Sequence, residues 1–274
     1  MYMISSSKLK KAKASLDETE PNFYSMQMAI GRILRHVPDM KSEFFNQRPE
    51  IKPEDRKVGY IVVTADKGLA GAYNHNVLKM AEELIGQPGK HKMFVLGEVG
   101  RQYFSRREDE LDSEFKYTVQ SPTLYRARVI AIKMVELFEQ EELDDIYIIY
   151  TRMKNALQAE TQQIKLLPLQ RINFASDKMA AMAGVYREAV TLYPSAHEVM
   201  DSIVPNYLIG IIYGCLVESY CSEQNSRMQA MQNATDSATD MLNELNITYN
   251  RVRQADITQE LTEVIGGANA QKRK

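Results

Sequence analysis

Over the 274 residues there is no tryptophan, there are only two cysteines, and neither sign of charge dominates. Thirty-four Lys and Arg against 36 Asp and Glu leave a net charge of −2, which gives no field for holding nucleic acid. The short basic end Lys272-Arg273-Lys274 is expected to be a solvated terminus rather than a phosphate-binding patch. Cys215 and Cys221, six apart on an expected helix, face different ways and form no C-x-x-C pair, as suits a reducing compartment. His36, His75, His91 and His197 fall in separate segments without a His-x-x-x-His or Glu-x-x-His pairing, so no metal site is expected. No apolar run is expected to reach the ~18 to 20 residues that cross a bilayer, and the start lacks a secretory pattern, so a soluble chain is expected. No serine or cysteine stands in a nucleophile-elbow context. The acidic run Glu139–Asp145 is expected to be a solvated helix end, not an acid and base pair. No active site and no cofactor are expected.

The most telling absence is local. From Cys215 to Ile265 there is neither glycine nor proline. From Met228 the stretch carries one apolar stripe, Met228, Met231, Thr235, Ala238, Leu242, Leu245, Tyr249 and Val252, spaced alternately three and four apart. At 1.5 Å per residue that helix would run about 75 Å, far longer than a globular core needs. The same rhythm recurs near the start in Leu9, Ala12, Leu16, Thr19, Phe23, Met26, Ile30, Ile33 and Val37, with Pro21 expected to kink the helix or shift its register. An ordinary helical bundle would give similar stripes. Length favours a coiled coil of the two chain ends.

Between the ends the period changes. Val58–Thr64, Met93–Gly97 and Ile146–Tyr150 are nearly continuous apolar runs of strand length, as in strands covered on both faces. Helical patterns at Asn76–Ile85 and Leu124–Glu141 separate them, which predicts a mostly parallel sheet with crossover helices. Ile164–Leu169 is a further candidate strand, placed at an edge or an end by Pro168. Ser195-Ala-His-Glu198 forms a capping box for a helix from about Ala196, and Pro205 is expected to start the long helix anew. Thr64–Asn74 sits between a strand and a helix, where α/β proteins hold phosphates. It lacks the P-loop ending and the dinucleotide spacing, so its glycines point first to a tight turn, with a ligand site as the rival.

Four segments then bear on family. Arg251–Ala268 (R-V-R-Q-A-D-I-T-Q-E-L-T-E-V-I-G-G-A), Ser222–Asp236, Ser7–Ala12 and Thr64–Asn74 together resemble, in order along the whole chain, the signature of the gamma subunit of F-type ATP synthases. The resemblance implies a mixed α/β fold: a long antiparallel coiled coil of the N- and C-terminal helices plus a small Rossmann-like α/β domain. On that plan residues 1–56 form the first helix and its connection, 57–174 the α/β domain, 175–205 a connecting helical segment, and 206–274 the long C-terminal helix and tail. It implies a noncatalytic central shaft that couples ion flow through a membrane rotor ring to nucleotide affinity at the beta-subunit sites, with alpha, beta and epsilon subunits and the ring as partners. Proton and sodium coupling stay equally open.

The resemblance also assigns residues. Arg253, Gln254, Thr258 and Glu260 match positions facing the beta subunit, and Arg227 and Met1 match positions near beta-subunit contacts and the opposing helix. Leu192 and Tyr193 match the foot toward the ring and epsilon. The seam would comprise Leu9, Leu16, Phe23, Ile30, Met228, Met231, Leu242, Leu245, Tyr249 and Val252. Family members normally begin their first helix well before the Met1–Lys8 stretch, so the resemblance leaves partners for Tyr249 onward missing. Residues 174–193 are short and free of cysteine, without the redox insert of chloroplast relatives, which implies a bacterial protein on the cytoplasmic face of the cell membrane. A nucleotide-binding α/β enzyme using the Asp66–Gly71 loop and an unrelated coiled-coil adaptor are the rival expectations.

Overall fold

The computed structural model describes residues 2–87, 89–105, 111–155, 158–174 and 191–272, with side chains to 269. Met1, most of the cysteine-free stretch after Phe174 and the basic terminus lie outside the described residues or side chains. The chain divides into two compact units, Met1–Met228 and Gln229–Lys274.

In the first unit, helix α1 spans Tyr2–His36. Strand β1 (Lys57–Val63), helix α2 (Tyr73–Ile85), β2 (Lys90–Leu96), α3 (Glu98–Phe104), α4 (Leu124–Glu139), β3 (Asp145–Met153) and β4 (Ala159–Leu167) follow in order. The sheet order is β2-β1-β3-β4, with β1 parallel to both neighbours and β4 antiparallel at the edge. Helix α5 then runs over Ala196–Lys272, its residues to Met228 belonging to the first unit.

Both faces of the sheet are covered, which explains the unbroken apolar runs in its central strands. Tyr60, Val62, Met93, Val95 and Ile149 turn to a cluster with Val77, Leu78, Ala81 and Ile85 of α2. Ile61, Val63, Phe94, Leu96, Ile146 and Ile148 face the opposite way, into a core shared with α4, α1 and α5. Thr64, wholly buried, closes the end of β1: its hydroxyl donates to the Leu96 carbonyl at 2.7 Å and accepts from Gly100 N at 3.0 Å. An added Cβ at Gly100 would lie 2.6 Å from that hydroxyl, so only glycine lets α3 approach so closely.

Several expectations change. Both prolines lie inside continuous helices, Pro21 in α1 and Pro205 in α5, so the long helix does not begin anew at Pro205. Pro21 is exposed, where water can serve the carbonyl it leaves free, and Leu16 before it and Phe23 after it pack on the same cluster. Near Pro205 the Asn206 amide donates to the Ser202 carbonyl at 2.9 Å, and packing of Val204, Tyr207 and Leu208 holds the turn. The helix start is as the capping box requires, with Ser195 Oγ accepting from Glu198 N at 3.2 Å; the serine hydroxyl also donates to the glutamate. Asp144 and Asp145, expected to be solvated, are each 4% exposed. They are buried because cations follow them in: Arg48 Nη1 lies 2.8 Å from Asp144, while Arg56 and Lys165 flank Asp145.

Helix α5 contains a window long and apolar enough to pass for a membrane span on composition. That window is 56% buried inside the protein, as in a core helix. Here the sequence had suggested no such run.

Candidate functional site

The expected seam divides in two. Leu9, Ala12, Leu16, Phe23 and Met26 pack onto the large core, and Ile30 is completely buried in it. Their partners on α5 lie earlier than expected. Ser15 and Tyr213 share a hydrogen bond of 2.8 Å, and Phe23 sits against Tyr213 with ring centroids 6.4 Å apart. Gly210 leaves room for Phe23, since a Cβ there would lie 2.1 Å from the ring. With Phe23 near Gly210 and Lys13 and Asp17 acting on Cys221, the α1 and α5 segments run antiparallel. α1 therefore pairs with a part of α5 that reaches from about Gly210 to at least Glu223, on which Lys8 acts, and both helices offer buried residues there, whereas Leu242, Leu245, Tyr249 and Val252 of the expected seam are exposed.

Gln229–Lys274 is one helical stretch, and its seam positions from Leu242 onward are exposed. Met228 and Met231 are half-buried, whereas Leu242, Leu245, Tyr249 and Val252 are exposed, Tyr249 by 64%. Ile257, Leu261, Val264 and Ile265 continue the bare apolar row, and the helix passes through Gly266 and Gly267 without a break. Arg253, Gln254, Thr258 and Glu260 are exposed on the same stretch. The Thr258 hydroxyl donates to the Gln254 carbonyl at 2.8 Å, and Gln259 donates to Glu263 at 3.0 Å. These side chains are thus held along the helix surface rather than buried. A lone helix that exposes a row of large apolar side chains needs another surface to cover it.

Arg227 is different. Its side chain is 10% exposed, and Nη2 lies 2.6 Å from Glu223 Oε1 and donates to the Lys67 and Gly68 carbonyls at 3.3 Å each. The resemblance sets Arg227 near the beta-subunit contact and the opposing helix; within this chain its guanidinium is taken up by the loop after β1. Burial raises the Glu223 carboxyl above its usual range, against the pull of the Arg227 charge. Ser219 and Ser222, both buried, close the end of β3: Thr151 N donates to Ser219 Oγ at 3.2 Å, and Ser222 Oγ donates to Thr151 O at 3.1 Å. This polar row on α5 was invisible in the sequence, because Ser, Glu, Gln and Asn on a helix normally mark its wet side.

The Asp66–Gly71 loop, the rival ligand site, is filled by the chain itself. The Asp66 carboxylate accepts from Val119 N at 3.1 Å, Gln120 N at 3.2 Å and Glu98 N at 3.3 Å, and from the Thr118 hydroxyl. Asn74 Oδ1 accepts from Ala65 N at 2.9 Å, and Tyr73 OH pairs with Ser219 Oγ at 3.1 Å. A carboxylate already occupies the donors a phosphate would seek, and the loop turns carbonyls toward Arg227. That is a structural turn rather than a nucleotide cradle. Of the expected foot residues, Leu192 packs against the core and Tyr193 is 89% exposed.

A family model described as ATP synthase matches residues 1–271, which defines the chain as an ATP synthase subunit. The ATP synthase gamma chain of Ruminiclostridium cellulolyticum is 45% identical over 271 residues, covering 98% of this chain and 91% of the relative. That of Acetivibrio thermocellus is 41% identical, covering 99% and 92%. The sodium ion specific gamma chain of Acetobacterium woodii is 34% identical, covering 98% and 91%. The chain belongs to the ATP synthase gamma chain family. Among solved structures, the central stalk and c-ring of Tetrahymena thermophila mitochondrial ATP synthase matches with a TM-score of 0.61 at 24% identity, covering 86% of this chain and 97% of that one. The Euglena gracilis mitochondrial ATP synthase matches at 0.57 and 15% identity, covering 98% and 94%, so the fold is shared.

Proposed function

We propose that this gamma chain is the asymmetric rotor shaft of its ATP synthase, noncatalytic by itself, which turns ion-driven rotation of a membrane ring into affinity changes at the nucleotide sites of the beta subunits. The observation that carries this reading is the bare apolar row from Leu242 to Ile265 beside the exposed polar set Arg253, Gln254, Thr258 and Glu260. A single helix has no rotational symmetry, so each orientation inside a ring of alternating alpha and beta subunits offers each site a different face and favours a different state of it. Leu192 and the exposed Tyr193 are the residues proposed for the ring and epsilon side, on the cytoplasmic face of the cell membrane. The filled Asp66 loop argues against the enzyme alternative, and family membership against an unrelated adaptor.

The test is reconstitution. Purified alone, the chain is expected to show no ATP hydrolysis above background, and with alpha and beta subunits it is expected to form a complex of fixed stoichiometry. Appreciable hydrolysis by the isolated chain, or no assembly, would overturn the reading.

A further inference from the structure

We propose that Arg227 is a positioning residue that clamps the Asp66–Gly71 loop to α5, so that the α/β domain and this helix segment turn as one body; it does not itself touch the catalytic subunits. This rests on the rotor reading above. One guanidinium nitrogen bridges Glu223 on α5 and two carbonyls of the loop, Lys67 and Gly68. Lone ion pairs on a surface contribute little, but this pair is buried, Arg227 at 10% and Glu223 at 8% side-chain exposure, so removing either partner leaves an uncompensated charge.

The loop is equally fixed on its far side. Asp66 gathers the amides of Glu98, Val119 and Gln120, while Ala65, Ala70 and Tyr73 are buried around it. Hydrogen bonds from the 118–120 segment thus meet the loop at Asp66, and one and two residues further along its backbone the carbonyls of Lys67 and Gly68 are held by Arg227 and through it Glu223. Directly after the clamped Gly68 carbonyl and before the buried Ala70, Leu69 is held at φ +63°, a conformation that non-glycine residues adopt at a cost. A loop kept in so unfavourable a shape is over-determined by its anchors, as a rigid joint requires. A rotor needs such a joint, since slack between domain and helix would let one turn without the other.

The experiment uses the assembled, membrane-bound complex and reads ions transported per ATP hydrolysed. Arg227→Ala is expected to lower that ratio by about fivefold or more, the lower end of a typical coupling between two sites. Deuterium exchange at residues 65–72 should rise in the same variant. Glu223→Gln, which keeps the side-chain shape, should move both readouts in the same direction, and melting curves record whether each variant is folded. In a Lys67→Cys, Arg227→Cys double variant, joining the two thiols with a short bifunctional reagent should restore the ratio. If folded Arg227→Ala or Glu223→Gln keeps the wild-type ratio, the clamp is refuted. If the linked variant stays as uncoupled as the unlinked one, Arg227 acts through its own guanidinium on a partner and the proposal fails. Failure of the rotor reading is distinct: the wild-type chain would then not assemble at all.

Discussion

Arg48 shows at the scale of one residue how this protein buries charge. Its backbone has φ +44°, its amide donates to Asn46 Oδ1 at 3.0 Å, and its side chain is enclosed. Nη1 reaches Asp144 at 2.8 Å and the Leu143 carbonyl at 3.1 Å, Nη2 reaches the Phe138 carbonyl at 2.8 Å, and the guanidinium lies 4.6 Å from the Phe138 ring centre. Asp144 in turn accepts from Lys57 N at 2.9 Å, at the first residue of β1. Arg48→Ala is expected to cost about 3–5 kcal/mol, because it strands a buried carboxylate. Urea unfolding followed by circular dichroism measures it. Asp112 makes a pH-dependent contribution. Burial pushes its carboxyl upward, but the hydrogen bond and charge of Lys133, the charge of Lys92 and the Phe115 amide outweigh that and leave it below the usual aspartate value. The unfolded chain then binds the proton more readily, so this contribution is present above the ordinary aspartate range and is lost as pH falls through the folded value. Asp112→Asn should lower the melting temperature near neutral pH, with the difference closing in acid. A constant difference across pH would contradict the assignment.

Elements were legible where burial and periodicity agreed. β1, β2 and the start of β3 stood out as apolar runs because helices cover both faces of the sheet, and Ser195 marked the start of α5. β4 was caught only in its last half: Ala159–Gln163 is polar, and main-chain pairing with β3, not its side chains, makes it a strand. α3 escaped notice because its seven residues follow Gly97, which offers no capping side chain. The antiparallel pairing of the long helices was legible, but not which stretch of α5 meets α1. The clean three-four stripe begins only at Met228, whereas the part of α5 that packs on α1 is apolar on several sides, with Leu208, Ile209, Ile212, Leu216 and Val217 all buried, and periodicity does not say which stretch meets which partner. The consequence is measurable. Leu242→Asp, at a side chain 61% exposed, should shift the stability of the isolated chain by under about 0.5 kcal/mol. Leu216→Ala, at 4% exposure in the shared core, should cost about 2–5 kcal/mol. Comparable losses from the two would mean that Leu242 is covered after all.

For the whole molecule, the contacts that matter to the complex are expected to be separable from those that fold the chain. Arg253→Ala and Thr258→Ala alter exposed helix positions, so the melting temperature of the isolated chain should scarcely change while turnover of the assembled enzyme falls several-fold, by about 1 kcal/mol or more of coupling. Steady-state ATPase assays on reconstituted complexes check this, and unchanged turnover in both variants would remove these residues from the beta-subunit contact. Recognition of the family rested on short motifs such as Arg251–Ala268, whereas the polar closure by Ser219, Ser222, Glu223 and Arg227 required coordinates. Its members are distant in sequence from the strand and loop they hold, and only the folded chain brings them together.

The uncovered row from Leu242 to Ile265 also bears on how the cell must handle this polypeptide. A copy released without its assembly mates carries a greasy strip into solution, an invitation to self-association or to degradation beginning at that helix. On the rotor proposal, its production has to keep pace with that of the subunits proposed to cover this strip. Overexpressed by itself, the chain should self-associate increasingly as its concentration rises, and sedimentation should show this tendency falling when those subunits are supplied together.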